Sequence, residues 1–254
     1  MRFIGIIPAR YASVRFPGKP LVILGGKTVI QRVYERICES LQEVFVATDD
    51  ARIEKVVRDF GGNVIMTSPT HPSGTDRVCE AAKKVLQSEK VGEDVVIINV
   101  QGDEPFIATS QIKSLCRCFD DEATQIATLA KPITDKQIPF NPNSPKVVID
   151  NNGFALYFSR SPIPYNREDP SLSEGVNSGV YNKHIGIYAY RFSVLQEITK
   201  LPQSSLEMTE KLEQLRWLQN GYKIKVALTD IETIGIDVPE DLAKAEKYLA
   251  NCQS

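Results

Sequence analysis

The 254-residue chain holds only two histidines and five cysteines, the latter at 38, 79, 116, 118 and 252 with no Cys-x-x-Cys pair among them. That spacing fits neither a zinc site nor a disulfide framework, so the thiols are read as reduced and packed. No Gly-x-Gly-x-x-Gly occurs, which removes sequence support for a dinucleotide-binding Rossmann site. Gly26-Lys27-Thr28 ends like a phosphate-binding P-loop, but Leu21 stands five positions before Gly26 where that motif requires Gly. Long apolar runs are missing as well: stretches such as 28–30 and 95–98 fall far short of the roughly 20 residues of a bilayer span. The start, Met1-Arg2 and a short apolar run into Pro8, has neither a sustained apolar core nor a small-residue cleavage site. With no internal repeat or low-complexity tract, the expectation is a cytoplasmic globular protein that is not embedded in a membrane.

What is present is a local excess of positive charge. The formal net charge is -2, yet residues 1–38 carry Arg2, Arg10, Arg15, Lys19, Lys27, Arg32 and Arg36 against the single acid Glu35. Three of these cations sit in Pro8-Ala9-Arg10-Tyr11-Ala12-Ser13-Val14-Arg15-Phe16-Pro17-Gly18-Lys19-Pro20, directly after an apolar strand over 3–7. Open α/β sheets bind ligands at the carboxyl ends of their strands. A cationic mouth there, on a near-neutral chain, points to a polyanionic small molecule such as a nucleoside triphosphate. Arg10, Lys19 and backbone amides near Ala9 are the candidate phosphate binders. The chain lacks an interleaved basic and aromatic surface, which excludes a long nucleic acid. The other reading of the loop is a basic surface turn.

Two carboxylates could accompany the phosphates. Asp103 follows the apolar run 95–100 in Gln101-Gly102-Asp103-Glu104-Pro105, and Asp237 precedes Pro239 in Gly235-Ile236-Asp237. Mg²⁺ at phosphate sites takes one or two carboxylates plus substrate oxygens. Each Asp could instead only cap a following helix. Further along, His184 and Tyr188 are four residues apart and so share one side of a strand. Arg160, at the end of a strand over 155–160, could meet a carboxylate bidentately or form an ordinary ion pair. A helix expected over 208–220 puts Met208, Leu212 and Leu215 on one face, with Glu210, Glu213, Gln214 and Trp217 away from it.

The pattern of elements supports an α/β fold. Strands over 3–7, 44–48, 64–66 and 95–100 alternate with helices near 28–40, 50–59, 76–88 and 109–119, which predicts a parallel sheet covered by helices. In the first helix Val29, Val33, Ile37 and Leu41 form the buried stripe. From about 126 to 192 the texture turns β-rich, with strands over 126–133, 146–150, 155–160 and 184–191 joined by loops at 139–145 and 161–182. Helices over 194–199 and 239–249 and a strand over 223–228 close the chain.

Taken together, seven ordered blocks resemble the 3-deoxy-manno-octulosonate (KDO) cytidylyltransferases. They are Ile7–Ser13 with Phe16–Pro20, Ser73-Gly74-Thr75-Asp76-Arg77, Gln101–Pro105, Tyr157-Phe158-Ser159-Arg160, His184-Ile185-Gly186-Ile187-Tyr188, Leu212-Glu213-Gln214-Leu215-Arg216 and Gly235-Ile236-Asp237. The resemblance implies transfer of a cytidylyl group from CTP to KDO, giving CMP-KDO and pyrophosphate for lipopolysaccharide synthesis. It implies a Rossmann-like, mostly parallel sheet flanked by helices, of the nucleotide-diphospho-sugar transferase type. Residues 1–254 would form a single nucleotidyltransferase domain, with about 126–192 as a β-rich insertion contributing the sugar site and a homodimer interface. By residue, Ala9, Arg10, Ser13 and Lys19 are implied at the triphosphate and Ser73, Gly74, Thr75 and Gln101 at the cytidine. Asp103 and Asp237 are implied as Mg²⁺ ligands, and with Lys19 as the catalytic set. Arg160, His184, Tyr188, Glu213 and Gln214 are implied at the sugar acid. Phe16 and Val238 stand where Leu and Thr are common in the family, and 166–183 matches loosely. The alternatives are a cytidylyltransferase for an 8-amino analogue of KDO and a non-catalytic nucleotide sensor; the sensor is disfavoured because both aspartates are present.

Overall fold

The computed structural model describes residues 1–13, 15–87, 95–176 and 179–252. The expected helix end at 88, Val14 of the cationic loop and residues 177–178 of the long loop lie outside the described residues, as does the side chain of Cys252. In chain order the elements are β1 (Arg2–Ala9), the two-residue strands β2 (Ile23–Leu24) and β3 (Lys27–Thr28), α1 (Val29–Cys38), β4 (Glu43–Thr48), α2 (Ala51–Asp59), β5 (Val64–Met66), α3 (Gly74–Gln87), β6 (Val95–Asn99) and α4 (Thr109–Arg117). They continue as β7 (Ile126–Pro132), β8 (Lys146–Ile149), β9 (Ala155–Ser159), β10 (Asn182–Arg191), α5 (Phe192–Ile198), α6 (Ser205–Glu210), α7 (Gln214–Gln219), β11 (Ile224–Leu228) and α8 (Pro239–Cys252). These form two compact units, one of residues 1–113, 191–199 and 233–254, the other of 114–190 and 200–232.

The first unit is the expected parallel sheet. β1 pairs in parallel with β4 and β6, and β4 with β5, giving the order β6-β1-β4-β5. All five residues of β6 are buried, which is why it reads as an unbroken apolar run. Helix α1 starts where the Thr28 hydroxyl accepts from Gln31 N at 3.3 Å, and it buries Val29, Ile30, Val33 and Ile37. Asp50 caps α2 in the same way, accepting from Arg52 N at 2.9 Å. The carboxyl ends of β1 and β6 therefore stand side by side, delivering the loops that begin at Arg10 and Val100 to one edge.

In the second unit β7 pairs antiparallel with β10 and parallel with β11, while β8 pairs antiparallel with both β10 and β9. One expectation fails here. The helix expected over 208–220 is two short helices, α6 and α7, broken where Lys211 takes φ +54°. The break reassigns the faces: Met208 is exposed, whereas Gln214 and Trp217 are buried with Leu212 and Leu215. Its causes are side chains that reach the junction from elsewhere in the chain. Arg216 turns back to a buried ion pair with Glu207, at 2.5 and 2.8 Å, and the Arg160 guanidinium takes the carbonyls of Glu210 and Lys211 at 2.6 and 3.3 Å. Those carbonyls would otherwise lack partners at the helix end.

Candidate active site

The loop after β1 is folded by its own backbone. Tyr11 O accepts from both Ser13 N and Gly18 N at 2.9 Å, and Lys19–Leu21 closes the loop as a 3₁₀ turn. Gly18 has φ +73°, and a Cβ there would stand 3.1 Å from the Tyr11 ring, so both conformation and space require glycine. The other side of the loop is held by Arg52, whose guanidinium lies 3.3 Å from the Tyr11 ring centroid while its nitrogens hold Asp50 at 2.9 and 2.6 Å. At Gly102 a Cβ would come within 3.0 Å of Pro8 O, so glycine lets the β6 loop pass close to the end of β1.

These contacts bring the charges together. Lys19 Nζ donates to Asp103 Oδ2 at 2.6 Å and to Asp237 Oδ1 at 3.4 Å, and Arg15 pairs with the second oxygen of Asp237. Residues separated by 218 positions meet because Ile236 N donates to Asp103 O at 2.8 Å, and because Asp241 accepts from the Asp237 and Val238 amides at 3.1 and 3.2 Å. Two carboxylates at one point repel each other, and the Lys19 ammonium between them offsets that repulsion.

The surrounding cleft, about 380 Å³, is lined by Ala9, Arg10, Ser13, Arg15, Lys19, Ser73, Gly74, Gln101, Asp103 and Asp237 among others. Of the residues expected at the nucleotide, only Thr75 is not in its lining; it is buried in the first turn of α3. Ser73 Oγ accepts from Asp76 N at 3.2 Å and donates to its carboxylate at 2.6 Å, starting α3 at the cleft wall. Arg10 is exposed in the lining.

The sugar-site candidates all lie in the second unit. His184 Nε2 is 3.0 Å from Thr128 Oγ1, whose single hydrogen goes to Ile187 O at 2.8 Å; the hydroxyl therefore accepts, and the imidazole carries its proton on Nε2. Burial pushes the His184 pKa down to about 3, so the ring is neutral. Its centroid is 5.4 Å from that of Tyr188, despite a register irregularity in β10 between Ile185 and Tyr188. Tyr188 in turn meets Trp217 edge-on at 5.1 Å. Among the described residues the Tyr188 hydroxyl, Gln214 Nε2 and Trp217 Nε1 are buried without a hydrogen-bond partner. Such groups each cost about 1–3 kcal/mol when unpaired and suit a ligand rich in hydroxyls. Glu213 occupies the position just before α7, its carboxylate 3.9 Å from Arg216. Arg160, just past β9, gives three of its five N–H donors to main-chain carbonyls: those of Glu210, Pro142 and Lys211, at 2.6, 2.8 and 3.3 Å.

A family profile described as cytidylyltransferase matches residues 4–224. The chain belongs to the cytidylyltransferase family. It is 58% identical over 255 residues to 3-deoxy-manno-octulosonate cytidylyltransferase of Bacteroides thetaiotaomicron, covering 99% of both chains. To the protein of that name from Phocaeicola vulgatus it is 61% identical over 253 residues, with 98% of both chains covered. A solved structure of CMP:2-keto-3-deoxy-manno-octonic acid synthetase complexed with CTP superposes with a TM-score of 0.88 at 42% identity, covering 99% of each chain. The chain is thus a nucleotidyltransferase with the family's mostly parallel, helix-flanked sheet.

Asp49, His71 and Arg77 also line the cleft of this cytidylyltransferase, and none of the three was expected there. Arg77 is buried and donates to Thr67 Oγ1 at 2.6 Å, with Asp49 Oδ1 at 3.1 Å. Asp49 was findable, because it follows the carboxyl end of β4 as Asp103 follows that of β6. His71 binds the Glu80 carboxylate; burial alone would raise the Glu80 pKa, but hydrogen bonds from Lys84, Ser68 N and His71 outweigh it and hold it at about 2. Among the described residues no helix is long and apolar enough to cross a membrane.

Proposed function

We propose that the protein transfers a cytidylyl group from CTP to KDO, giving CMP-KDO and pyrophosphate. The convergence of Lys19, Asp103 and Asp237 in a cationic cleft is the observation that carries this reading. The anomeric hydroxyl oxygen of the sugar acid attacks the α-phosphorus of CTP, the bond from that phosphorus to the oxygen bridging to the β-phosphate breaks, pyrophosphate departs with that oxygen, and the hydroxyl proton passes to water. Chemistry of this type depends on positioning and charge neutralisation rather than on a covalent nucleophile. Arg10, Ser13, Lys19 and amides near Ala9 hold the triphosphate; Ser73, Gly74 and Gln101 form the cytidine wall, with Thr75 supporting it from within α3.

The donor set fits a hard divalent cation, since two carboxylate oxygens already share one point of positive charge, 2.6 and 3.4 Å from a single ammonium nitrogen. Asp103 and Asp237 would hold Mg²⁺. When bound, the ion neutralises charge developing on the phosphate oxygens. Lys19, whose ammonium stands between the two aspartates, would supply positive charge beside the departing pyrophosphate.

In the second unit the unpaired Tyr188, Gln214 and Trp217 groups support a hydroxyl-rich ligand, with His184 and Glu213 beside them in sequence and space. Arg160 offers its two remaining N–H donors to the sugar carboxylate. We extend the proposal to a homodimer formed through the β-rich 126–192 region, within a single nucleotidyltransferase domain, and to a cytoplasmic setting, where CTP is the donor. Phosphorus NMR of CTP with KDO and Mg²⁺ tests the reaction: a phosphodiester signal of the CMP-sugar is expected to grow with pyrophosphate in equal amounts. Consumption of CTP without that product, or a marked preference for the 8-amino analogue, would overturn the assignment.

A further inference from the structure

We infer that Lys146 and Glu210 are positioning residues for the sugar-acid site, acting through Arg160. The inference rests on the proposal that Arg160 meets the substrate carboxylate.

Lys146, the first residue of β8, is among the largest fully buried side chains of the protein. Among the described residues its ammonium donates to two main-chain carbonyls, Asn141 O at 3.1 Å and Arg160 O at 2.5 Å. Register explains the placement, since Lys146 faces Ser159 across the β8–β9 pairing and so stands beside the chain as it leaves β9 for Arg160. Glu210, the last residue of α6, takes the same segment from the other side. Its carboxylate accepts from Ser159 Oγ at 2.6 Å and Arg160 N at 2.9 Å, and its carbonyl accepts from Arg160 Nε at 2.6 Å. Arg160 is thus held at its amide by the Glu210 carboxylate, at its carbonyl by the Lys146 ammonium, and at its guanidinium by main-chain carbonyls, that of Glu210 among them. The clamp also ties Arg160 to the α6–α7 break, through Lys211 O, and hence to the start of α7 where Glu213 and Gln214 stand.

A buried lysine is an expensive way to hold two carbonyls if holding is all it does, because its charge must be desolvated. Burial draws the Lys146 pKa down to about 8, with the Glu210 carboxylate opposing and the Arg160 guanidinium assisting. These are the charged groups that face it; the Tyr157 phenol near Glu210 is raised by burial and by that carboxylate. The ammonium therefore contributes positive potential where an anionic substrate would arrive, and loses it as the pH rises through about 8.

The test is steady-state kinetics with KDO and CTP varied separately, from pH 6.5 to 9.5, on the wild type and four variants. Lys146→Met and Glu210→Gln are expected to raise KM for KDO by roughly tenfold or more, the loss of a charge-assisted contact, with KM for CTP within about twofold. Lys146→Arg, which keeps the charge but does not titrate, is expected to restore the KDO KM at neutral pH and to abolish its rise above pH 8. Circular dichroism and an unchanged CTP KM establish that each variant is folded. If Arg160→Ala raises the KDO KM while Lys146→Met and Glu210→Gln leave it unchanged, or raise both KM values alike, the positioning role is wrong. If Arg160→Ala itself leaves the KDO KM unchanged, the failure lies in the sugar-site proposal beneath it.

Discussion

Asp103 and Lys19 show how a single side chain acquires meaning only from its neighbours. In sequence each was a charge in a loop that follows a strand, with a basic surface turn for Lys19 and helix capping for Asp103 as an adequate explanation. Their 2.6 Å contact, shared by Asp237, turns three such residues into one electrostatic unit. Asp103→Asn keeps the size of the side chain and removes half of the carboxylate charge, so pyrophosphate release is expected to fall by at least about a hundredfold with no change in circular dichroism. Full residual activity would remove Asp103 from the site. His184 allows a second prediction at this scale. Its folded pKa of about 3 lies below the unfolded value near 6.5, so the neutral ring stabilises the fold above pH 6.5 and that contribution is lost as the pH falls toward 3. Urea unfolding at pH 7 and pH 5 is expected to differ by on the order of 2 kcal/mol from this group, and His184→Gln is expected to lose that difference. An unchanged pH dependence in the variant would mean the ring is solvated.

The secondary-structure elements divide by how their sequence information is carried. Strand β6 and the alternation that predicts a parallel sheet were legible, because buried strands and amphipathic helices write themselves as apolar periodicity. The α6–α7 break was not. Nothing near Lys211 is Gly or Pro, and the apolar spacing of Met208, Leu212 and Leu215 runs on as though one helix continued. The break comes from partners beyond local reach: Arg160 on the α6 carbonyls, and Arg216 turned onto Glu207. The Ser204–Glu207 capping box was present in the sequence and marks the true start of α6. Two changes test this account of the junction. Lys211→Gly relieves the left-handed backbone and is expected to raise stability by about 1 kcal/mol or less, whereas Ser204→Ala is expected to lower it by about 1 kcal/mol. Thermal melts that move both variants in the same direction would contradict it.

Across the whole molecule, the sequence indicated that the loops after β1 and β6 meet at one sheet edge, because strand-end positions are a property of topology rather than of local detail. It missed Asp49, His71 and Arg77, whose roles depend on which loops the sheet order β6-β1-β4-β5 makes adjacent. The β-rich region shows large apolar side chains at its surface, Leu156 at 61% and Tyr165 at 73% exposure, and Leu156 sits on β9, which pairs with β8. Exposed apolar groups on such a strand suit a second copy of the chain. Leu156→Glu is therefore expected to convert a dimer into a monomer by light scattering, and a wild-type monomer would refute the proposed assembly. The central claim, one cleft gripping a cytidine triphosphate with a divalent cation, is tested most directly by a pyrophosphate-release screen. CTP, UTP, ATP and GTP are each combined with KDO and with other 2-keto sugar acids, in Mg²⁺ or in EDTA. The account predicts release only from CTP with KDO and Mg²⁺; equal release from several nucleotides, or release that persists in EDTA, would contradict it.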